Sequence, residues 1–153
     1  MSSLKHLVVI AALSTAQLPA QTVRVGTFDK PSVVVAYYRS PAWSGTLKEK
    51  AAEMEAARKA GDTKKIAELA SWGPASQDLA HRQLAGQAPI TNILEALTPA
   101  FPAIAEKAQV TLIVPDLPYA NSAVQTVDVT DLLLDWLKAG DTTRKLVRDL
   151  RKQ

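Results

Sequence analysis

The chain has 153 residues, with 18 lysines and arginines against 15 aspartates and glutamates, and it contains no cysteine. This length has room for one domain, and the small positive excess is not the charge pattern of a nucleic-acid-binding protein. The absence of cysteine excludes disulfide bonds, thiol catalysis and cysteine-based zinc sites.

The first twenty residues, MSSLKHLVVIAALSTAQLPA, have the layout of a secretory signal peptide. Lys5 precedes an apolar run from Leu7 to Leu13, and small residues follow. The run is shorter than the roughly 20 residues that span a bilayer; a buried strand or helix is the alternative. We predict cleavage after Ala20 or, alternatively, Ala16, and a mature domain of residues 21–153 without a membrane span.

The mature chain is predicted to begin with a strand and a short buried helix. In QTVRVGTF, residues 21–28, apolar and polar side chains alternate, as in a half-buried strand. Asp29 can then cap a helix that has Pro31 in its first turn. The three consecutive valines that follow are also compatible with a strand. SPAWSG, residues 40–45, is interpreted as a turn.

A helical insertion is predicted over about residues 46–108, and glycine and proline divide it. A first helix covers 46–60, and the pair Gly61-Asp62 closes it and opens the next helix. Gly73-Pro74 is expected to stop that second helix, and a short third helix runs to Leu84 before Gly86. Pieces of this size extend only about 22 Å, at about 1.5 Å per residue.

Residues 88–109 have the clearest helical periodicity, and Pro99 and Pro102 must kink or break the helix there. VTLIVP, residues 110–115, is a continuous apolar run and is predicted to be a buried strand; residues 124–129 are predicted to form another strand. The fold class is therefore α+β: a small sheet from the N-terminal and C-terminal strands, with a hairpin-like helical insertion between them and helices at the C-terminus.

Two helices are predicted after the last strand. Thr130 is expected to cap the first, and Asp141 begins the second. The pentapeptide KAGDT occurs at residues 59–63 and again at 138–142. Both copies are interpreted as joints in which glycine closes one helix and aspartate opens the next. The basic C-terminal segment 144–153 is interpreted as a solvated helix end, where the helix dipole favours cations.

Four segments, in this order, resemble the OmpH/Skp-like family of periplasmic proteins. They are VRVGTFD (23–29), VVVAYYRSPAWSGTLKEKAAEME (33–55), IAEKAQVTLIV (104–114) and VDVTDLLLDWL (127–137). The resemblance implies a non-enzymatic envelope protein, secreted across the inner membrane into the periplasm, that holds unfolded outer-membrane proteins. It also implies a homotrimer whose sheets form a shared body, and it implies no cofactor and no metal.

The middle of the chain departs from this family pattern. Chaperones of the family carry two long, uninterrupted helices, whereas glycine and proline interrupt the corresponding region here. No apolar heptad pattern runs for three or four heptads, as a coiled coil requires. We therefore expect a divergent member with a shortened, interrupted helical region that forms a compact cap or a short hairpin.

The candidate partner-binding residues are apolar or aromatic. They are Tyr37, Tyr38, Trp43, Met54 and Trp72. In the helical insertion, apolar residues at helical spacing could line a client cavity or pack against the periodic helix of Ile90, Ile93 and Leu97; packing is the more frequent role of such a stripe. These residues are Leu47, Met54, Ile66, Leu69 and Trp72.

Two other function classes stay open. An adaptor or structural domain would bind one defined envelope partner, through an apolar patch around Tyr37, Tyr38 and Trp43. A hydrolase would have to use His81, the one histidine of the mature chain, and an acid and a nucleophile brought to it by the fold. The acids and serines considered are Asp29, Asp116, Ser32 and Ser122. No spacing selects any of them, so no catalytic, metal or cofactor-binding residue is assigned.

Overall fold

The computed structural model describes residues 22–152. The predicted signal peptide, residues 1–20, lies outside this range. The described residues have an α+β fold, as predicted, with a three-stranded sheet and seven α-helices. The strands are β1 (Val23–Thr27), β2 (Leu112–Val114) and β3 (Val124–Asp128). The helices are α1 (Lys30–Tyr38), α2 (Pro41–Ala60), α3 (Thr63–Leu84), α4 (Thr91–Leu97), α5 (Phe101–Ala108), α6 (Thr130–Trp136) and α7 (Asp141–Leu150).

The sheet has the order β2-β1-β3, and both outer strands run parallel to β1. In the register of the strands, Val25 lies opposite Leu112 on one side and Thr126 on the other. β2 has only three residues, and Leu112 is 54% exposed. A strand forms here as predicted, but it covers only Leu112–Val114, and its predicted burial is wrong: β2 lies at the edge of the sheet, with a neighbour on one side only.

One face of the sheet packs on the helices. A Cβ atom added at Gly26 would lie 3.1–3.2 Å from side-chain atoms of Ile113, Val110 and Val129, so this glycine permits a close approach. Ile113 and Val127 share that face and contact the main core. The residues of this core, here named the body core, come from Phe28 directly after β1, from α1, from the segment Ile90–Ile104, from Val129 directly after β3, and from α6, its C-terminal end and α7. They include Val33, Val34, Ile93, Leu97, Val129, Leu133, Leu134 and Val147.

Local capping explains why α1 is a helix and not a strand. The Asp29 side chain accepts hydrogen bonds from the backbone N–H of Ser32, at 2.9 Å, and from its hydroxyl. Pro31 occupies the first turn, where its missing N–H is not needed. The helix then buries Val33, Val34 and Tyr37. The predicted short helix is confirmed.

α2 begins five residues earlier than predicted. Ser40 is its N-cap, with the side-chain oxygen 3.2 Å from the backbone N–H of Trp43, and Pro41 is the first helical residue. Ser-Pro is thus a helix start here and not part of a turn, because proline at the first position lacks only an N–H that the helix does not use. The insertion begins at Pro41 for the same reason.

α3 is continuous for 22 residues and contains Pro74 in its interior. The expected stop at Gly73-Pro74 is therefore wrong. Both residues are exposed, so water can hydrate the carbonyl group that loses its N–H partner. The buried residues of α3, Leu69 before the proline and Gln83 after it, lie on the face of the helix opposite to Pro74. α2 and α3 extend about 30 and 33 Å, so the predicted shortening into pieces does not occur.

The joint between α2 and α3 follows the predicted chemistry. Gly61 adopts a left-handed conformation at φ 66°, and its N–H bonds to the last turn of α2. The Asp62 carboxylate accepts a hydrogen bond of 2.9 Å from the backbone N–H of Lys65. Because only these two residues separate the helices, α2 and α3 form a helical hairpin.

The second KAGDT pentapeptide adopts a different backbone. Lys138 takes the left-handed position at φ 55°, and Gly140 is the N-cap of α7 in an extended conformation. The predicted use of Gly140 to close α6 is therefore wrong. α6 ends at Trp136, and the left-handed conformation that follows it is taken by Lys138 instead of Gly140.

The predicted cap of α6 is also corrected. Thr130 is its first residue and not its cap; its side chain donates a hydrogen bond to Asp128 and accepts one of 2.9 Å from the backbone N–H of Asp29. As predicted, the two prolines break the periodic segment: α4 ends at Leu97, a turn of 3-10 helix follows at Thr98–Ala100, and α5 begins at Phe101.

Candidate functional site

The hairpin of α2 and α3 is largely exposed. Only Ala57 of α2 and only Leu69 and Gln83 of α3 are buried. Leu47 is 45% exposed, and Met54 and Ile66 are partly exposed. None of these apolar residues belongs to the body core of Ile90, Ile93 and Leu97. The expectation that they pack against that helix is therefore wrong.

Four of the five candidate partner-binding residues form one aromatic cluster at the base of the hairpin. The ring centroids of Trp43 and Trp72 are 5.7 Å apart with nearly parallel planes. Tyr38 meets Trp43 edge-on at 4.8 Å and Tyr37 at 5.1 Å. These geometries are the favourable ones for aromatic pairs. Met54 lies farther along α2 and is outside the cluster.

The aromatic cluster connects the hairpin to the rest of the molecule. Tyr37 is 8% exposed and belongs to the body core, and Tyr38 and Trp43 pack against it. Burial, and then the charge of Tyr38, raise the pKa of Tyr37 above its ordinary value of 10.0. Trp72 belongs to α3, so the stacked pair joins both helices of the hairpin to α1. These aromatics are therefore internal contacts and not an open apolar patch.

The hydrogen bonds of Gln83, here named the latch, lie beside this cluster, and no sequence pattern indicates them. Gln83 is 3% exposed. Its amide oxygen accepts a hydrogen bond of 2.8 Å from the Tyr38 hydroxyl. Its amide nitrogen donates to the Pro89 carbonyl and the Asn92 side chain, at 2.7 and 2.6 Å. A lone glutamine in a polar helix has no distinctive sequence signal, because glutamine is usually exposed.

A hydrogen-bond network joins the carboxyl ends of β1 and β3. Asp29 bonds to Ser32, Asp128 bonds to Thr130, and Arg151 of the C-terminal end contacts Ser32 at 3.3 Å and Asp128 at 3.9 Å. Ser32 and Thr130 are fully buried. The network satisfies buried polar groups and ties the chain end to the sheet.

His81 lies on an exposed position of α3. The acids and serines considered for it make other contacts: Asp29 binds Ser32, and Asp116 accepts a hydrogen bond of 2.5 Å from Lys30. Ser122 is exposed in the loop before β3. Within residues 22–152 no three acidic or histidine side chains are grouped so as to hold a metal ion.

The second face of the sheet carries exposed apolar side chains. Val23 is 48% and Leu112 54% exposed, and both lie on the face opposite to Gly26 and Ile113 by the alternation of the strands. Parallel sheets are almost always covered on both faces. This face of the described chain is therefore a candidate contact surface, and residue spacing alone did not identify it.

No helix of the described part of the chain is long and apolar enough to cross a membrane. Comparisons with protein-family models, with curated proteins and with solved structures found no match.

Proposed function

We propose that this chain is a non-enzymatic envelope protein of the OmpH/Skp-like kind that holds unfolded outer-membrane proteins in the periplasm. The observation that carries the proposal is the hairpin: two continuous helices of 20 and 22 residues, with a two-residue joint and only three buried side chains. A hairpin that does not serve a core of its own is available to enclose another chain.

The surface of the hairpin fits clients that lack a fixed shape. Leu47, Met54 and Ile66 offer apolar contacts, while Lys50, Glu53 and Lys65 form exposed ion pairs between them. Scattered apolar contacts on a charged, solvated surface hold an unfolded chain weakly at many points, without selecting one sequence.

The proposal includes a homo-oligomer, with three chains as the resemblance implies. The exposed apolar side chains of Val23 and Leu112 support it, because a second copy would cover them; Val25, between them on the same sheet face, is already buried. One hairpin of about 30 Å cannot enclose an unfolded chain, whereas three hairpins around a shared body can form a chamber.

The adaptor alternative receives less support. It required an apolar patch around Tyr37, Tyr38 and Trp43, and these rings pack against each other and against the body core. A defined single partner would have to bind elsewhere.

The first measurement is the solution mass by size-exclusion chromatography with light scattering, for which we expect three times the mass of one chain. The second is the aggregation of a urea-unfolded outer-membrane protein on dilution, with and without this protein. Suppression of aggregation is expected for several unrelated outer-membrane proteins.

Matched variants distinguish a loss of client binding from a loss of folding. Leu47→Ser with Met54→Ser removes apolar surface from the hairpin and should reduce holding. Tyr119→Ser removes an aromatic that is 78% exposed in the loop before β3 and should leave holding unchanged. A monomer that does not suppress aggregation, or a double variant that holds clients as well as the unmodified chain, would exclude the proposal.

A further inference from the structure

A cavity of about 300 Å³ lies where the start of α1, the end of α3, the start of α4 and the end of β2 meet. It is at the carboxyl end of β1 and β2, the position at which parallel sheets most often bind ligands. The residues that line it include Lys30, Leu84, Ile90, Thr91, Leu94 and three prolines. It is separate from the surface of the hairpin on which the proposed function depends.

The walls of the cavity are mainly apolar. Pro31, Pro89 and Pro115 have no N–H. Gln83 also lines it, but both of its amide hydrogens are used, by the Pro89 carbonyl and the Asn92 side chain. The same two bonds fix the connection between α3 and α4, so this wall is held in place without a ligand.

One charged side chain lines the cavity, that of Lys30. Its ammonium group donates a hydrogen bond of 2.5 Å to the Asp116 carboxylate. Asp116 itself is not a lining residue; it belongs to the loop after β2, and its side chain is 64% exposed. The ammonium group of Lys30 is thus already paired with a carboxylate, that of Asp116, which lies on an exposed loop.

We propose that this cavity binds a small apolar carboxylate, whose hydrocarbon part enters between Leu84, Ile90 and Leu94 and whose carboxylate replaces that of Asp116 on Lys30. Leu84 is 39% exposed although it is apolar, and such a ligand would cover it. The exchange of one carboxylate for another keeps the ammonium group paired, so a ligand gains the apolar burial without leaving a charge unpaired.

Two probes distinguish the sources of this chemistry. Octanoate represents a fatty acid, and N-acetyl-phenylalanine represents the last residue of a peptide chain. Each is titrated into the isotope-labelled full chain, and amide shifts are followed by NMR. We expect saturable shifts at Leu84, Ile90 and Leu94 with at least one probe, and the probe that binds identifies the source.

Two variants of opposite expected sign test the role of the ion pair. Lys30→Met should weaken binding about fivefold, and Asp116→Ala should tighten it about two- to fivefold, the range of an exposed ion pair. Lys145→Met and Asp149→Ala, at exposed positions of α7, which does not line the cavity, are the matched controls and should leave the affinity unchanged. The neutral analogue 1-octanol should bind more weakly than octanoate.

Three results would overturn the proposal. One is the absence of saturable shifts at these three residues with either probe. Another is equal binding of octanol and octanoate, which would indicate an apolar cavity that does not recognise the carboxylate. The third is an unchanged affinity in Asp116→Ala, which would exclude the exchange. The client-holding measurement is independent of all three, because Lys30 and Asp116 lie outside the hairpin.

Discussion

The hairpin and the body of this molecule are held together in different ways. In the body, Val33, Ile93 and Leu133 are fully buried, and residues from both ends of the chain contribute to one core. The hairpin is stabilised mainly by local contacts: the hydrogen bonds of its helices, the Gly61-Asp62 joint and the aromatic cluster at its base. The hairpin therefore depends mainly on local contacts, whereas the body depends on contacts between distant parts of the chain.

The largest expected effect is a loss of stability on substitution in the body core. Leu133→Ala leaves a cavity beside fully buried neighbours and should lower the free energy of unfolding by about 3 kcal/mol or more. Leu69→Ala is the same change in the hairpin, where the side chain is 8% exposed and lies outside the body core. It should cost about 2 kcal/mol or less, because the two helices can close around the gap.

Urea denaturation followed by circular dichroism measures both variants, and hydrogen exchange locates the loss. Leu133→Ala should accelerate exchange throughout the molecule, Leu69→Ala only in α2 and α3. Equal global effects of the two would mean that the hairpin and the body unfold as one unit.

The next effect separates the two regions at their junction. Trp72→Ala removes the stacking on Trp43, with an expected cost of about 2 kcal/mol. It should accelerate amide exchange in α2 and α3 and leave α6 unchanged. Trp136→Ala is the matched control, since that ring is 40% exposed and lies outside the cluster. If Trp136→Ala had the larger effect on α2, the aromatic cluster would not be the connection.

A smaller effect of opposite sign concerns Pro74. Pro74→Ala restores a helix hydrogen bond in α3 and should stabilise the hairpin by about 1 kcal/mol; an interior proline costs up to about 3 kcal/mol, part of which exposure to water offsets here. Slower amide exchange between residues 63 and 84 would show it. Pro99→Ala should change little, because Pro99 occupies the first positions of a helical turn. Unchanged exchange in α3 would mean that Pro74 imposes no strain.

The smallest effect is a pH dependence confined to the hairpin. The pKa of Glu53 is lowered, first by its hydrogen bond to Lys50 and then by the charges of Lys50 and Lys65, while desolvation opposes the shift. A lowered pKa gives stability that is present above the ordinary value of 4.5 and is lost as the pH falls through the value in the folded protein. The hairpin should therefore weaken in acid below that range.

Fluorescence of the stacked tryptophans, in a Trp136→Phe background, follows this transition. Glu53→Gln should reduce the change in fluorescence between neutral and acid pH. Glu55→Gln should not, because Glu55 is more exposed and pairs with Lys59 at 3.5 Å. If Glu53→Gln left this change in fluorescence as it is, the transition would be assigned to another group.

Helix caps and joints could be predicted from the sequence, because they depend on residues that are adjacent in the chain. Asp29, Gly61 and Asp62 act as predicted, because a cap needs only the adjacent turn. The break at Gly73-Pro74 was wrong, since contacts on the other side of α3 hold the helix through the proline. The pairing and parallel direction of the strands, the latch at Gln83 and the open sheet face depend on residues far apart in the chain, and no local pattern carries that information.

The central position of β1 has a consequence for how the molecule acquires its shape. β1 is the first strand to be synthesised, yet its partners come much later; Asp29 at its end bonds to Thr130, 101 residues further on. The hairpin between them can form while the sheet is still incomplete, because its contacts are local, but closure of the sheet has to wait for both later strands. During translation, the edges of β1 therefore remain open to pairing with other strands until β2 and β3 have been made. A protein proposed to shield unfinished chains thus passes through the same vulnerable stage itself.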